Sequence, residues 1–268
     1  MTLPILVTGG TGTLGHRLVP RLQQAGADIR VLTRHSRPDQ DQDQDGVRFL
    51  TGDLATGQGI EQAVDEVTTI VHLAGSNKGD DALTRNLVRA VSSRGGRPHL
   101  VYISVVGADR IPMASAIDRT MFGYFSSKLA TERVVTESGL PWTTLRATQF
   151  HDLMLTVARA LAKLPVIPVP AGSRFQPVDT EEVAARLVEL ALGEPAGLVP
   201  DLAGPHVYSA ADLIREYLRA THRRRPILPV WLPGQAARAV RAGAVVAPEH
   251  ATGKRTWEEF LAEQVSQH

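Results

Sequence analysis

The chain contains no cysteine among its 268 residues. Disulfides, thiolate nucleophiles and cysteine-ligated metals are therefore excluded. An excess of one charge is also missing. Twenty-nine Lys and Arg stand against 28 Asp and Glu, a formal net charge of +1. That balance gives no general attraction to nucleic acid or to an anionic membrane. No apolar run approaches the roughly 18 residues that a membrane span needs. The apolar stretch Ala236–Pro248 is short, and Arg238 and Arg241 interrupt it. The N-terminus reads Met-Thr-Leu-Pro, without the basic segment and cleavage site of a signal peptide. The expected location is the cytoplasm, and the expected partner is a small molecule, with no metal, nucleic acid or membrane. With 43% hydrophobic and 21% charged residues, the composition is that of a soluble globular protein, expected as a monomer or homodimer.

The first half alternates short apolar runs with helical spacing. Strands are expected at Leu3–Val7, Ile29–Thr33, Val47–Leu50, Thr69–Leu73, Leu100–Ser104 and Trp142–Arg146. Helices are expected at Leu14–Ala25, Ile60–Asp65, Asp81–Arg94 and Phe125–Ser138, with a loop through Ile111–Ser115. The Asp-Gln tract from Asp39 to Asp45 has nothing apolar to bury and reads as a solvated loop. Strands apolar on both faces, separated by helices, predict an α/β fold, a doubly wound parallel sheet of the Rossmann type. Beyond Arg146 the pattern loosens. Helices are expected at Asp152–Lys163, Thr180–Leu192, Ala210–Thr221 and Thr256–Gln264, with prolines breaking the chain between them. This predicts a dinucleotide-binding domain over residues 1–150. A smaller, mostly helical substrate lobe over 151–268 would be packed on the strand ends.

The segment Thr8-Gly9-Gly10-Thr11-Gly12-Thr13-Leu14-Gly15 follows an apolar strand and opens a helix. It fits G-x-G-x-x-G from Gly10 and G-x-x-G-x-x-G from Gly9. A tight turn uses glycine for positive φ. A side chain at Gly12 would block a pyrophosphate, and Gly15 allows close helix packing. The free amides at the helix N-terminus face phosphate. The turn residues Gly9, Thr11, Gly12, Thr13, Leu14 and Gly15 are thus the first dinucleotide contacts. The second strand ends in Thr33-Arg34-His35-Ser36-Arg37, where binders of NAD usually carry a carboxylate. A guanidinium pairs bidentately with a 2′-phosphate. Arg34, backed by Ser36 and Arg37, therefore points to NADP(H), with NAD(H) as the other possibility.

With these residues in place, the whole chain resembles the short-chain dehydrogenase/reductase superfamily, in its atypical, NmrA-like NAD(P)-binding branch. Gly-Asp53-Leu54 resembles the adenine-binding turn of that family. His72-Leu73-Ala74-Gly75 resembles the strand-four segment that passes the adenosine and ribose. Tyr124-Phe-Ser-Ser-Lys128 fits its Y-x-x-x-K. The resemblance implies catalytic roles for Tyr124, Lys128 and Ser104. Lys128 would also bond the nicotinamide ribose. Gln149, Phe150 and His151 follow the sixth strand, where the chain of relatives passes the nicotinamide. Ala147-Thr148 stands where many relatives have Pro-Gly. Phe175 and Gln176 belong to a segment resembling one that the branch often carries before a helix, and they complete the expected substrate contacts. Arg223, Arg224 and Arg225 read as a solvated face.

On a helix, residues four apart share one face. An ammonium at Lys128 would favour the phenolate of Tyr124, whose free pKa is about 10. Such a pair can protonate a carbonyl oxygen as hydride reaches the carbon. The leading expectation is an NADP(H)-dependent oxidoreductase acting on a small carbonyl or quinone-like substrate. Two other functions fit the same binding residues. One is a non-catalytic NADP(H) sensor, and the other is a nucleotide-sugar epimerase.

Overall fold

The computed structural model describes residues 4–34, 46–75 and 79–266. The Asp-Gln tract lies outside them, and so do Ser36 and Arg37. The chain forms two compact units, each assembled from several segments. The first comprises Met1–Ser104, Ser127–Leu145 and Val183–Val199. The second comprises Val105–Ser126, Arg146–Glu182 and Pro200–His268.

The first unit is built on a parallel sheet. Its strands are β1 (Ile5–Thr8), β2 (Ile29–Thr33), β3 (Val47–Thr51), β4 (Thr69–His72), β5 (His99–Val105), β6 (Trp142–Ala147) and, numbered later in the chain, β9 (Gly197–Leu198). Among the described residues the order is β3-β2-β1-β4-β5-β6-β9. β1 and β4 are buried along their whole length, and so is β5 up to its last residue. That explains their continuous apolar sequence. Helices α1 (Gly15–Gln24), α2 (Ile60–Ala63) and α3 (Asp80–Ser93) connect the early strands. On one face Leu6, Ile70, Leu100 and Tyr102 pack with Leu87, Val91 and Val135. A fully buried leucine or isoleucine contributes about 1.5–3 kcal/mol, and a surface ion pair at most about 1. The apolar layers therefore hold the sheet, which leaves its carboxyl edge free to carry polar groups. The chain runs outward from β1 to β2 and β3, then returns to β4 on the other side. The crevice between β1 and β4 is thus the switch point where open α/β sheets bind ligands.

Helix α4 spans Ala116–Thr136, beginning nine residues before the start expected from apolar spacing, so that Tyr124 lies inside it. A capping box sets the earlier start. The Ser115 hydroxyl accepts from the Asp118 amide at 3.1 Å, and the Asp118 carboxylate accepts from the Ser115 amide at 3.0 Å. The signal was present in the sequence as Ser115-Ala-Ile-Asp118, ahead of the periodic residues. Asp118 also accepts from the Ala236 amide at 3.0 Å. That bond, with those from Ser115, holds its carboxyl below the usual carboxylate range.

The second unit carries several helices and takes in Val105–Ser126 as well as most of the chain beyond Arg146, apart from Val183–Val199. Helices α5 (His151–Leu161), α7 (Ala210–Ala220) and α9 (Trp257–Ser266) share a core with the short strand β7 (Ile167–Pro170). Trp257 is fully enclosed there and donates its indole N–H to the Leu213 carbonyl at 3.1 Å. Strand β7 pairs in parallel with β11 (Ile227–Val230), and β8 (Arg174–Phe175) pairs antiparallel with β10 (Tyr208–Ser209). Helix α6 (Thr180–Leu192) falls where it was expected, whereas α8 (Gln235–Arg241) had been legible only as an apolar stretch. No helix among the described residues is long and apolar enough to cross a membrane.

Candidate functional site

The carboxyl edge of the parallel sheet gathers most of the sequence-predicted cofactor residues within the first unit. The turn from Gly9 to Gly15 leaves β1 directly and opens α1. Gly9 adopts φ +73°, and a Cβ there would lie 2.7 Å from the amide nitrogen of Ala74. Positive φ and close approach to the end of β4 both require glycine. A Cβ on Gly15 would lie 2.5 Å from the Gly10 carbonyl carbon. The helix therefore begins pressed against the turn's own backbone. Gly12 differs: among the described residues, its added Cβ would meet only the Gly9 oxygen, at 3.3 Å. Thr11, Gly12 and Thr13 are exposed while Leu14 is buried beneath them. The turn is a shallow cradle walled by backbone at the N-terminus of α1, where the His16 amide donates to the Gly12 carbonyl and those of Arg17 and Leu18 to the Leu14 carbonyl. No acidic residue occupies that first turn. This geometry fits a dinucleotide pyrophosphate.

Arg34 is exposed immediately after β2, the strand beside β1. Asp53 follows β3 half-buried, and its Oδ1 accepts from the Ala55 amide at 2.9 Å. One carboxylate oxygen therefore shapes the turn. Leu54 is buried in the core, and its carbonyl accepts from Asn86 at 2.8 Å.

The end of β4 carries the densest polar structure. His72 is fully buried, and its Nδ1 lies 2.7 Å from the Thr8 hydroxyl. Its Nε2 lies 2.9 Å from the Thr84 hydroxyl. Thr84 donates its one proton to the Asp80 carbonyl at 2.8 Å, so it must accept from Nε2–H. Nδ1 therefore accepts from Thr8, whose oxygen in turn accepts from the Ala74 amide at 3.3 Å. Burial, aided by the Lys128 charge, lowers the imidazole pKa to about 3, so the ring is neutral and its tautomer fixed. Lys128 is buried too, with its Nζ 3.2 Å from Asp80 Oδ2 and 5.2 Å from the centre of the Tyr102 ring. Burial lowers its pKa, while the Asp80 carboxylate opposes that shift. Asp80 did not stand out in the sequence, and His72 did so only as part of the strand-four segment.

A stability prediction follows from His72. Its folded pKa lies below the ordinary 6.5, so between pH 6.5 and about 3 the unfolded chain binds the extra proton. Its contribution is complete above pH 6.5 and is lost as the pH falls, at up to about 1.4 kcal/mol per pH unit. Urea unfolding from pH 7 down to pH 4.5 will show this slope. In His72→Asn, which cannot be protonated, the slope will flatten.

Ser104 lies near the end of β5, two residues beyond Tyr102, which is in register with His72. It is 1% exposed, and among the described residues its hydroxyl has no hydrogen-bond partner. Buried polar groups are rarely left so. Tyr124 lies one helical turn before Lys128 on α4. It is 38% exposed, with its ring edge-on to Phe125 at 5.8 Å.

The expected substrate residues separate within the second unit. Gln149 and Phe175 come together on the wall of an apolar cavity of about 110 Å³, with Phe122, Phe125, Val240 and Val245 among its other lining residues. Phe150 caps α5 and bridges to Val178. His151 is fully enclosed against the rings of Trp257 and Phe260, 3.9 Å from the Asp179 carboxylate. Gln176 is also fully buried. It donates to the Gly204 carbonyl and accepts from the Ala247 amide, both at 2.8 Å. Both residues thus lie in the core. Arg223, Arg224 and Arg225 are exposed, as expected, along an open basic groove.

A nucleotide cradle at the switch point of a parallel sheet defines a dinucleotide-binding protein of the Rossmann class. The chain belongs to the NAD(P)H-binding family, of the atypical short-chain dehydrogenase/reductase type; the family's sequence model matches residues 9–191, more than half its length. It is similar to the NAD(P)H azoreductase of Xenophilus azovorans, at 26% identity over 78% of this chain and 71% of that protein. Quinone oxidoreductase 2 of Escherichia coli (strain K12) is 24% identical over 82% of this chain and 75% of its own. The crystal structure of an Escherichia coli NADPH-dependent quinone oxidoreductase complexed with NADPH shares the fold. Its TM-score is 0.79 at 20% identity, over 98% of this chain and 99% of that one.

Proposed function

We propose that this protein is an NADP(H)-dependent oxidoreductase that reduces a small carbonyl or quinone-like acceptor. The observation that carries the reading is the buried Ser104 hydroxyl. Among the described residues it has no hydrogen-bond partner, and it lies near the end of β5 in the sheet whose carboxyl edge carries the glycine cradle. The reductase relatives support the same class of reaction. The turn amides would hold the pyrophosphate, and Arg34 the 2′-phosphate. Lys128 would bond the ribose. When bound, the reduced nicotinamide supplies the hydride. Ser104 would donate a hydrogen bond to the acceptor oxygen, and Tyr124 would deliver the proton that this oxygen takes up. Gln149 and Phe175 are proposed as acceptor contacts.

NADPH oxidation with a panel of quinones, aldehydes and ketones tests the reading. Positioned proton donors contribute about 10²- to 10⁴-fold, so Tyr124→Phe is expected to lower kcat at least about 100-fold on a carbonyl acceptor. Tight NADPH binding without oxidation by any acceptor would instead support a binding-only sensor. Arg34→Ala removes a charge-assisted pair worth about 1.5–3 kcal/mol and will weaken NADPH about 10- to 100-fold. NADH affinity will stay within about twofold. Equal losses for both cofactors would remove Arg34 from the 2′-phosphate site.

A further inference from the structure

We propose that Asp80 is the positioning residue of the cofactor-binding lysine. It anchors the Lys128 ammonium behind Gly75, and through Thr84, His72 and Thr8 that anchor is tied to the strand that opens the glycine turn. The inference rests on the reading of Lys128 as a cofactor contact.

Lysine carries a compact charge on a long, rotatable stem and must be fixed by something if it is to hold one hydroxyl of a ligand. Here the fixing group is visible. Asp80 is the first residue of α3 and is 1% exposed, and its Oδ2 lies 3.2 Å from Lys128 Nζ. The Asp80 main chain is itself restrained, because its carbonyl accepts from Thr84 at 2.8 Å. From Thr84 the bonds continue through the neutral His72 ring to Thr8 and then to the Ala74 amide. Thr8 is the residue immediately before Gly9. One directional chain therefore connects the pyrophosphate cradle, the Ala74-Gly75 backbone expected at the ribose, and the main-chain carbonyl of the residue whose carboxylate holds the ammonium.

Gly75 completes the device. A Cβ at this position would lie 2.9 Å from Asp80 Oδ2 and 3.4 Å from Lys128 Nζ. The ion pair thus backs directly onto the main chain of the segment, and any side chain there would displace it. Buried ion pairs are a weak source of net stability compared with an apolar pair of similar volume. Keeping one under the ribose-side backbone is accounted for by the need to hold a charge at a fixed point. Among the described residues, the charged or titratable groups around the ammonium include Asp80 on α3, His72 on β4, Tyr102 on β5 and Glu132 on α4. The Asp80 carboxylate is in contact with it, at 3.2 Å.

The test uses the full chain, measuring NADPH dissociation constants by fluorescence titration alongside kcat and KM with a quinone acceptor. Asp80→Asn and Lys128→Met are each expected to weaken NADPH about tenfold, and the double variant no more than either alone, because both remove one arrangement. Asp80→Glu, which restores the charge on a longer stem, should recover part of the loss. KM for NADPH should rise more than kcat falls. If Lys128→Met loses affinity while Asp80→Asn binds NADPH as the parent does, the positioning role is wrong and the lysine reading stands. If Lys128→Met itself binds normally, the lysine reading fails first. Should Asp80→Asn not fold, Asp80→Glu and Thr84→Val carry the test. Each is expected to weaken NADPH about threefold or more, and unchanged affinity in both overturns the proposal.

Discussion

Gly15→Ala will abolish dinucleotide binding, whereas Gly12→Ala will keep the fold and weaken only the ligand. The two glycines sit three residues apart in one motif, yet they face different obstacles. A methyl on Gly15 has nowhere to go: the Gly10 carbonyl carbon would be 2.5 Å away. Real carbon atoms do not approach so closely, so α1 or the turn must move and the first-turn amides lose their alignment. A methyl on Gly12 would meet one backbone oxygen at 3.3 Å, and a few tenths of an ångström relieve that. Its cost appears when a pyrophosphate needs the same space. Calorimetry and NADPH titration separate the cases. Gly15→Ala should lower Tm by roughly 5 °C or more, taking about 2–4 °C per kcal/mol, and should weaken NADPH at least about 100-fold. Gly12→Ala should leave Tm within about 2 °C while still binding at least about tenfold more weakly. Parental affinity in Gly12→Ala would mean that the cradle is purely structural.

Lys128→Met is expected to destabilise the fold strongly, separately from its effect on ligand. Removing the ammonium takes away the ion-pair partner of the Asp80 carboxylate, in a residue that is 1% exposed. Breaking one side of a buried pair costs about 3–5 kcal/mol, because the remaining charge has lost its compensation. At about 2–4 °C per kcal/mol, Tm should fall by roughly 10 °C. The combination Asp80→Asn with Lys128→Met should regain most of that loss, since no uncompensated charge remains. Urea unfolding of the two single variants and the double gives the coupling directly. Additive losses would show that the pair contributes little as a pair. A stable double variant that still binds NADPH poorly would separate the pair's role in the site from its role in the fold.

Much of the nucleotide half was legible in the sequence. Strand and helix patterns there are local, and burial on both faces writes itself as an unbroken apolar run. The edges of α4 show the limit of that reading. Apolar spacing identified its second half, but its start is set by the Ser115–Asp118 cap, which carries no periodicity. Gln149, His151 and Gln176 show a second limit. Their positions after β6 and β8 suggested a shared substrate role. Their partners, from Gly204 to Phe260, come from other parts of the chain, and those partners put Gln149 on a cavity wall and the other two in the core.

The sequence by itself determined the class of protein. A glycine turn between an apolar strand and a helix has one main physical use, and an arginine in place of a carboxylate after β2 biases that use toward a phosphorylated dinucleotide. Both are short-range patterns in which the chemistry and the backbone requirement coincide. Only the tertiary structure decided how the lysine is held. Asp80 and Lys128 lie on different helices, and Thr8 meets His72 across 64 residues. The His72 tautomer, its depressed pKa and the enclosure of the Ser104 hydroxyl all arise from burial. Burial is a property of the packed sheet, and no local pattern of residues encodes it.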